Sequence, residues 1–273
     1  MRHATTLVNP GLHLFWSEQM PAVAPERRQV ANAFVEKLRG YAPLSPEDVS
    51  LLEAACLHPR RFPPAYDLIR EGDKPGPVFV LLEGWACRYK ILPGGGRQII
   101  SFLMPGDFCD MHVAVLDAMD HSIATLTDAK VATIARGQME ELVEVRPGLV
   151  KAFWWTQLVD EGVLRATIVS MGRRTSLERV AHLLCELCFR MRNIGIATKS
   201  TFEMPFTQIV LADAVGLTPV HVNRVVRKLR AVGALELTSG TLVIADIKQL
   251  AQIAGFDDNY LHRQLAPKRA ALR

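Results

Sequence analysis

At 273 residues, 49% of them hydrophobic, the chain is long enough for two packed domains and far from the composition of a disordered polymer. No apolar run approaches the roughly eighteen residues of a membrane span, and Leu12–Trp16, interrupted by His13 after Pro10, is a poor secretory signal. The net charge of +4 is unevenly held: Gly172 onward carries 15 Lys+Arg against 8 Asp+Glu and the remainder is mildly acidic, which suits a nucleic-acid-binding end on a different body.

In chain order, residues 1–40 read as an N-terminal extension, with Pro10, Pro21 and Pro25 in an extended tail and a short helix over Gln29–Leu38. Ser45-Pro46-Glu47-Asp48 opens another helix, with Ser45 as N-cap and the acids beside its positive end. Residues 41–145 are predicted to form an antiparallel β-roll of jelly-roll (double-stranded β-helix) type. Short β-rich runs at Asp67–Arg70, Val78–Leu82, Trp85–Leu92, Arg97–Leu103, His121–Leu126 and Lys130–Ile134 alternate with glycine turns. Gly94-Gly95-Gly96 forms the tip of one hairpin.

A short helix over Met139–Val143 precedes a long one from Pro147 to about Met171, so that residues 146–172 form a dimerisation helix. It carries two apolar stripes, which suit one face on the roll and another on a second copy. Trp155, Val159, Gly162, Val163, Ala166 and Val169 are the expected dimer interface. Gly172-Arg173-Arg174-Thr175 reads as a hinge, with Thr175 or Ser176 capping a helix to Arg190. The five cysteines are scattered and odd in number, which suits a reducing cytoplasm. Cys185 and Cys188 lie in an apolar helical run and read as core.

Gln208–Arg230 organises the rest of the chain. Ile209, Leu211, Ala212 and Val215 recur at helical spacing up to Gly216; Thr218 then caps a second helix with Pro219 at its first position. That helix buries Val222, Val225, Val226 and Leu229 and turns Asn223, Arg224, Arg227 and Lys228 outward, the pattern of a helix-turn-helix. Ala234–Leu237 and Thr241–Ala245 flank Ser239-Gly240 as a wing hairpin, and Asp246 caps a last helix to Ala254. The predicted fold class is therefore α+β: a β-roll, a long dimerisation helix and a C-terminal winged helix-turn-helix over 173–256, with a tail over 257–273.

This order resembles the Crp/Fnr family of bacterial transcription regulators over nearly everything beyond the first forty residues. Its most specific parts are Leu211-Ala212-Asp213, Gly216-Leu217-Thr218 and Val222-Asn223-Arg224, with Glu71-Gly72-Asp73, Leu82-Glu83-Gly84 and Pro105-Gly106-Asp107-Phe108 in the roll. The resemblance implies a cytoplasmic homodimer on double-stranded DNA with a near-palindromic operator, and RNA polymerase as a further partner. It makes Arg224 the base reader, suited to guanine O6 and N7. Pro219, Val220 and Asn223 set operator preference; Pro219 and Val220 depart from the polar pair of the catabolite-activator branch, and apolar contact with a thymine methyl fits them. Thr207, Gln208, Thr218, His221, Arg227, Ser239 and Thr241 become positioning or phosphate-contacting groups.

In the roll, the family's cyclic-nucleotide binders place a glutamate and an Arg-Ser-Ala motif after the Gly-Asp-Phe turn. Here Met111 and His121-Ser122-Ile123 stand there, so little cyclic AMP affinity is expected. Asp110, Met111, His112, His121, Ser122 and Arg165 outline a candidate pocket for an unknown small-molecule effector. No cofactor is expected: the N-terminal cysteines of the iron–sulfur branch are missing, and haem or a metal at His112 and His121 is the lesser reading beside polar groups capping a turn. The alternatives are a cyclic-nucleotide-like or haem/metal-sensing regulatory module with another output, and a metal-dependent β-roll enzyme. The first lacks a use for Thr218–Arg230, and the second lacks ligands and a nucleophile–base pair.

Overall fold

The computed structural model describes residues 32–111, 116–195, 201–238 and 241–262. Helix α1 (Ala33–Arg39) starts where the Asn32 side chain accepts a hydrogen bond from Phe34 N, and α2 (Pro46–Ala55) starts on the expected capping box between Ser45 and Asp48. Of the helix expected over Gln29–Leu38, residues 29–31 lie outside those described, and the described helix is Ala33–Arg39.

Eight strands make the roll: β1 (Arg60–Phe62), β2 (Asp67–Ile69), β3 (Val78–Glu83), β4 (Ala86–Ile91), β5 (Arg97–Leu103), β6 (Phe108–Cys109), β7 (Ser122–Thr125) and β8 (Ala129–Ile134). They pair antiparallel in two four-stranded sheets of order β1-β8-β3-β6 and β2-β7-β4-β5. Side chains from both sheets, among them Leu81, Leu103, Ile123 and Val131, share one buried cluster. Val78, Val80, Ala132 and Ile134 join a second with Phe34 and Leu38 of α1 and Leu149 and Phe153 further on. Glycine is required at Gly106: its φ is +90°, and a Cβ would sit 2.6 Å from the Ala33 carbonyl oxygen, so α1 lies directly on the Pro-Gly-Asp turn. Strands β1 and β6 were not expected from the sequence, being two or three residues long.

After α3 (Arg136–Val145), α4 (Pro147–Arg173) runs 27 residues, about 40 Å. One stripe of it (Leu149, Ala152, Phe153, Thr156, Val159, Val163) is buried on the chain itself. The break between α4 and α5 falls inside the expected Gly172–Thr175 segment, in its second half. Gly172 and Arg173 are helical, and the break falls at Arg174, whose backbone is extended, before the capping box of Thr175 and Glu178 opens α5 (Ser176–Asn193). Arg179 clamps this corner, donating to the carbonyl oxygens of Met171 at 3.0 Å, Arg174 at 3.3 Å and Val215 at 2.8 Å.

Beyond lie β9 (Thr201–Glu203), α6 (Gln208–Val215), α7 (Pro219–Ala231), β10 (Glu236–Thr238), β11 (Thr241–Val243) and α8 (Ile247–Ala254), then a short 3-10 turn over Asn259–Leu261. The wing is a three-stranded sheet of order β10-β11-β9, one strand more than the expected hairpin. Cys185 and Cys188 are buried in α5, as the core reading requires. The described residues fall in one compact unit, and the helix-turn-helix half is docked on the roll. Phe206 lies 4.8 Å from both Phe102 and Trp85, Arg97 pairs with Asp213 at 2.7 Å, and Gln98 donates to the Ala214 carbonyl at 3.3 Å.

Candidate DNA interface and effector cleft

Helices α6 and α7 meet at 98° through Gly216, which takes the left-handed conformation (φ +63°) that ends α6. Thr218 Oγ1 accepts from His221 N at 3.2 Å and Pro219 fills the first helical position, so the tip of α7 starts as its sequence dictates. Val222, Val225 and Leu229 are buried under it. Val220, Arg224 and Arg227, spaced i, i+4 and i+7, are all exposed along one stripe, with Thr218 and Pro219 exposed at its start. Arg224 and Arg227 make no ion pair among the described residues, which leaves both guanidinium groups for a polyanion.

The flanking residues divide. Thr207 caps α6 and Gln208 begins it, both exposed; Asn223 is half-buried beside the stripe. His221 is half-buried, with a ring nitrogen 3.0 Å from Ser176 Oγ, so it ties α7 to the start of α5. Thr241 pairs with Thr238 and Glu203 in the wing, and Ser239 lies outside the described residues.

Between β4, β5, the Phe108–Met111 segment and α4 is a cleft of about 370 Å³. Asp110, Met111 and His121 line it, as expected. His112 lies outside the described residues. Two assignments are corrected. Ser122 is buried in β7, where its Oγ accepts from Glu71 N at 2.9 Å, and it does not line the cleft. Arg165 faces solvent and pairs with Glu161 at 3.1 Å, one helical turn away.

What fills the cleft was missed. Arg88 reaches across from β4 to Asp160 of α4 at 3.3 Å, donating also to the Phe108 carbonyl at 2.9 Å. An arginine inside an apolar strand and an acid inside an apolar helical stripe were the available signals. His121 Nδ1 lies 2.7 Å from Asp120, a contact that lowers the Asp120 pKa, and its Nε2 is buried without a partner among the described residues. Three cations line the cleft and each is paired, Arg88 with Asp160, Lys90 with Glu71 and Arg190 with Asp107, so among the described residues no unpaired guanidinium meets a cyclic phosphate there. Among the described residues no group of three or more His, Cys, Asp or Glu converges as a metal site. Burial pushes the Cys87 and Cys109 thiols up to about 12, so neither is a ready thiolate.

Behind the cleft, Arg190 of α5 joins its wall to a buried charge cluster. Its guanidinium contacts Asp107 at 2.9 Å, the Phe102 carbonyl at 3.0 Å and Glu186 at 3.5 Å; Lys37 of α1 also pairs with Asp107, and Tyr260 donates to Glu186 at 3.0 Å. Burial pushes the Asp107 carboxyl up, but Lys37 and Arg190 outweigh it and hold the pKa below the usual value.

Most of the residues expected at the dimer interface are covered by the chain itself. Val159 and Val163 belong to the same buried cluster as Leu184 and Leu187 of α5. Gly162 faces the Tyr260 carbonyl, where a Cβ would stand 2.3 Å from the oxygen. Trp155 Nε1 donates to the His262 carbonyl at 2.7 Å and Ala166 is half-buried. The first residues of the tail (257–273) therefore strap this face, and of the six only Val169, 52% exposed, stays open. The uncovered face instead carries Trp154, Leu158, Leu164 and Ile168.

An exposed recognition helix after a sharp turn, a three-stranded wing and a β-roll with its cleft against a long helix define a DNA-binding transcription regulator with a sensory-type domain. The chain belongs to the Crp/Fnr family. Residues 178–253 match the Crp-like helix-turn-helix domain and residues 59–146 the cyclic nucleotide-binding domain. It is 30% identical over 175 residues to the nitrogen fixation regulation protein FixK of Bradyrhizobium diazoefficiens, covering 64% of this chain and 72% of that one. It is 29% identical over 211 residues to the transcriptional activatory protein AadR of Rhodopseudomonas palustris (77% and 87% covered). Among solved structures, FixK2 of Bradyrhizobium japonicum matches with a TM-score of 0.66 at 21% identity, over 73% of this chain and 98% of that one, a likeness of fold.

Proposed function

We propose that the protein acts as a homodimer that presents two α7 helices to successive major grooves of a near-palindromic operator, with Arg224 reading guanine and Arg227 gripping phosphate. The observation that carries the dimer is the uncovered stripe of α4: Trp154 is 73% and Ile168 72% exposed, on a helix whose other side is sealed by its own chain. RNA polymerase is the proposed second partner. Control lies in the docking of the helix-turn-helix half on the roll, which a ligand reaching Asp160 or Arg190 would bias through differential binding to docked and released states. Cyclic AMP is not that ligand, and neither haem nor a metal is needed.

Sedimentation and gel shift on selected duplexes test this together: a dimer with salt-dependent, sequence-selective binding supports it. A monomer without sequence preference overturns it. Titration calorimetry with cyclic AMP is expected to show no binding in the micromolar range, and a haem-supplemented preparation no Soret band.

A further inference from the structure

Helices α4 and α6 end at the same corner of the molecule. The last turn of a helix leaves carbonyl oxygens without intrahelical partners and carries the negative end of the dipole, so two such ends brought together call for a cation with several donors. Arg179, half-buried in the first turn of α5, supplies it. Its Nη1 donates to the Val215 carbonyl at 2.8 Å, and its Nη2 to the Met171 carbonyl at 3.0 Å and the Arg174 carbonyl at 3.3 Å. The guanidinium is planar and its donors point in fixed directions, so satisfying both helix ends at once sets their separation and angle. The Met171 side chain packs against the bend of the helix-turn-helix, where a Cβ on Gly216 would stand 2.5 Å from the methionine methyl. A ring nitrogen of His221, 3.0 Å from Ser176 Oγ, ties the first turn of α7 to the same corner.

We infer that Arg179 is a positioning residue: its fork holds α7 at a fixed attitude to α4 and so sets the distance between the two half-sites of the operator. The inference rests on the paired reading above, in which α4 forms the two-fold contact and α7 enters the groove. Helix α7 has 13 residues and is about 20 Å long, so a rotation of about 10° at the corner moves its far end by about 3.4 Å, the rise of one base pair. Spacing is thus sensitive to a corner that touches no base. Contacts at Asp213 and Ala214 hold the flank of α6 on the roll, whereas Val215, next to the bend, is held to the end of α4 through Arg179. Lysine is no substitute here: one ammonium on a flexible stem reaches one helix end or the other, and keeps the charge without the fixed geometry.

The test separates spacing from base reading and from stability. The preferred half-site, found by selection from random duplexes, is placed twice with spacers lengthened or shortened in single base-pair steps. Kd and the urea midpoint are measured for the full-length wild type, Arg179→Lys and Arg179→Met. The wild type is expected to favour one spacing and to lose about tenfold one base pair to either side. Both variants are expected to flatten that loss to about twofold while keeping the wild-type guanine preference within each half-site. Arg179→Lys should do so with a urea midpoint near that of the wild type, so that lysine rescues the fold and not the spacing. A wild-type spacing profile in Arg179→Lys, or loss of guanine preference in step with spacing, overturns the inference and leaves the operator reading standing. A wild type indifferent to spacing overturns the paired reading itself and the inference with it. Arg179→Lys keeps the charge and a long stem, so the outcome does not depend on Arg179→Met folding.

Discussion

Arg190 Nη2 lies 2.9 Å from Asp107 Oδ2, and through that contact the first helix of the DNA-binding half is bonded to the Pro-Gly-Asp turn of the roll. Both side chains are buried. The turn is fixed from below by the close approach of α1 at Gly106, and the carboxylate is further held by Met104 N at 2.8 Å. The Pro-Gly-Asp turn thus ties the roll to α5.

Asp107→Asn should leave Lys37 without its buried carboxylate and Arg190 with Glu186 as its remaining buried partner, and cost about 3–5 kcal/mol in urea unfolding. Neutralising both sides with Asp107→Leu and Arg190→Met should cost less than the sum of the single changes. The pH dependence has a definite sign. The Asp107 pKa is lowered, so its stabilisation is present above the unfolded carboxylate value near 3.9 and is lost as pH falls through the lower folded value. Asp107→Asn should lack that acid limb.

His182 is 4% exposed between the rings of Phe256 and Tyr260, and burial lowers its pKa from 6.5 to about 4. The neutral ring is the one the fold accepts. Stability should be full above pH 6.5 and fall on the order of 3 kcal/mol as pH drops towards 4. His182→Phe keeps the packing and should flatten unfolding free energy against pH across that window.

Ile168→Glu, on the open face of α4, should abolish association in sedimentation with little loss of monomer stability. Val159→Ala, on the sealed face, should cost about 2 kcal/mol of stability and leave association alone. The reverse pattern would return the dimer face to the residues first expected from the sequence.

Gly162→Ala tests the strap. Alanine favours the helix by about 1 kcal/mol over glycine, yet its Cβ would stand 2.3 Å from the Tyr260 carbonyl. The expected outcome is a net loss of about 1–2 kcal/mol and faster amide exchange over residues 256–262.

These contrasts show where sequence is and is not informative. The start of α7 was legible because Thr218 and Pro219 are local signals, and so was the length of α4. Which side of α4 is sealed was not, because two apolar stripes look alike until Tyr260 and His262 return from about a hundred residues away. Arg88, Asp160 and Arg190 read as ordinary charges, since only tertiary contact distinguishes a buried ion pair from a solvated one. Strands β1 and β6 are too short for periodicity to register.

Arg227→Ala should weaken binding to all sequences alike and lower the salt slope by about one, whereas Arg224→Ala should cost about 1–3 kcal/mol at one base pair and relax selection there.

The most direct measurement is hydroxyl-radical footprinting on the duplex recovered by selection, run with the wild type and Arg224→Ala. Two symmetric protected patches about ten base pairs apart, retained at higher protein concentration but no longer sequence-selective in the variant, are the predicted result. A single asymmetric patch, or equal loss by the variant on selected and random DNA, would contradict the paired base-reading helix.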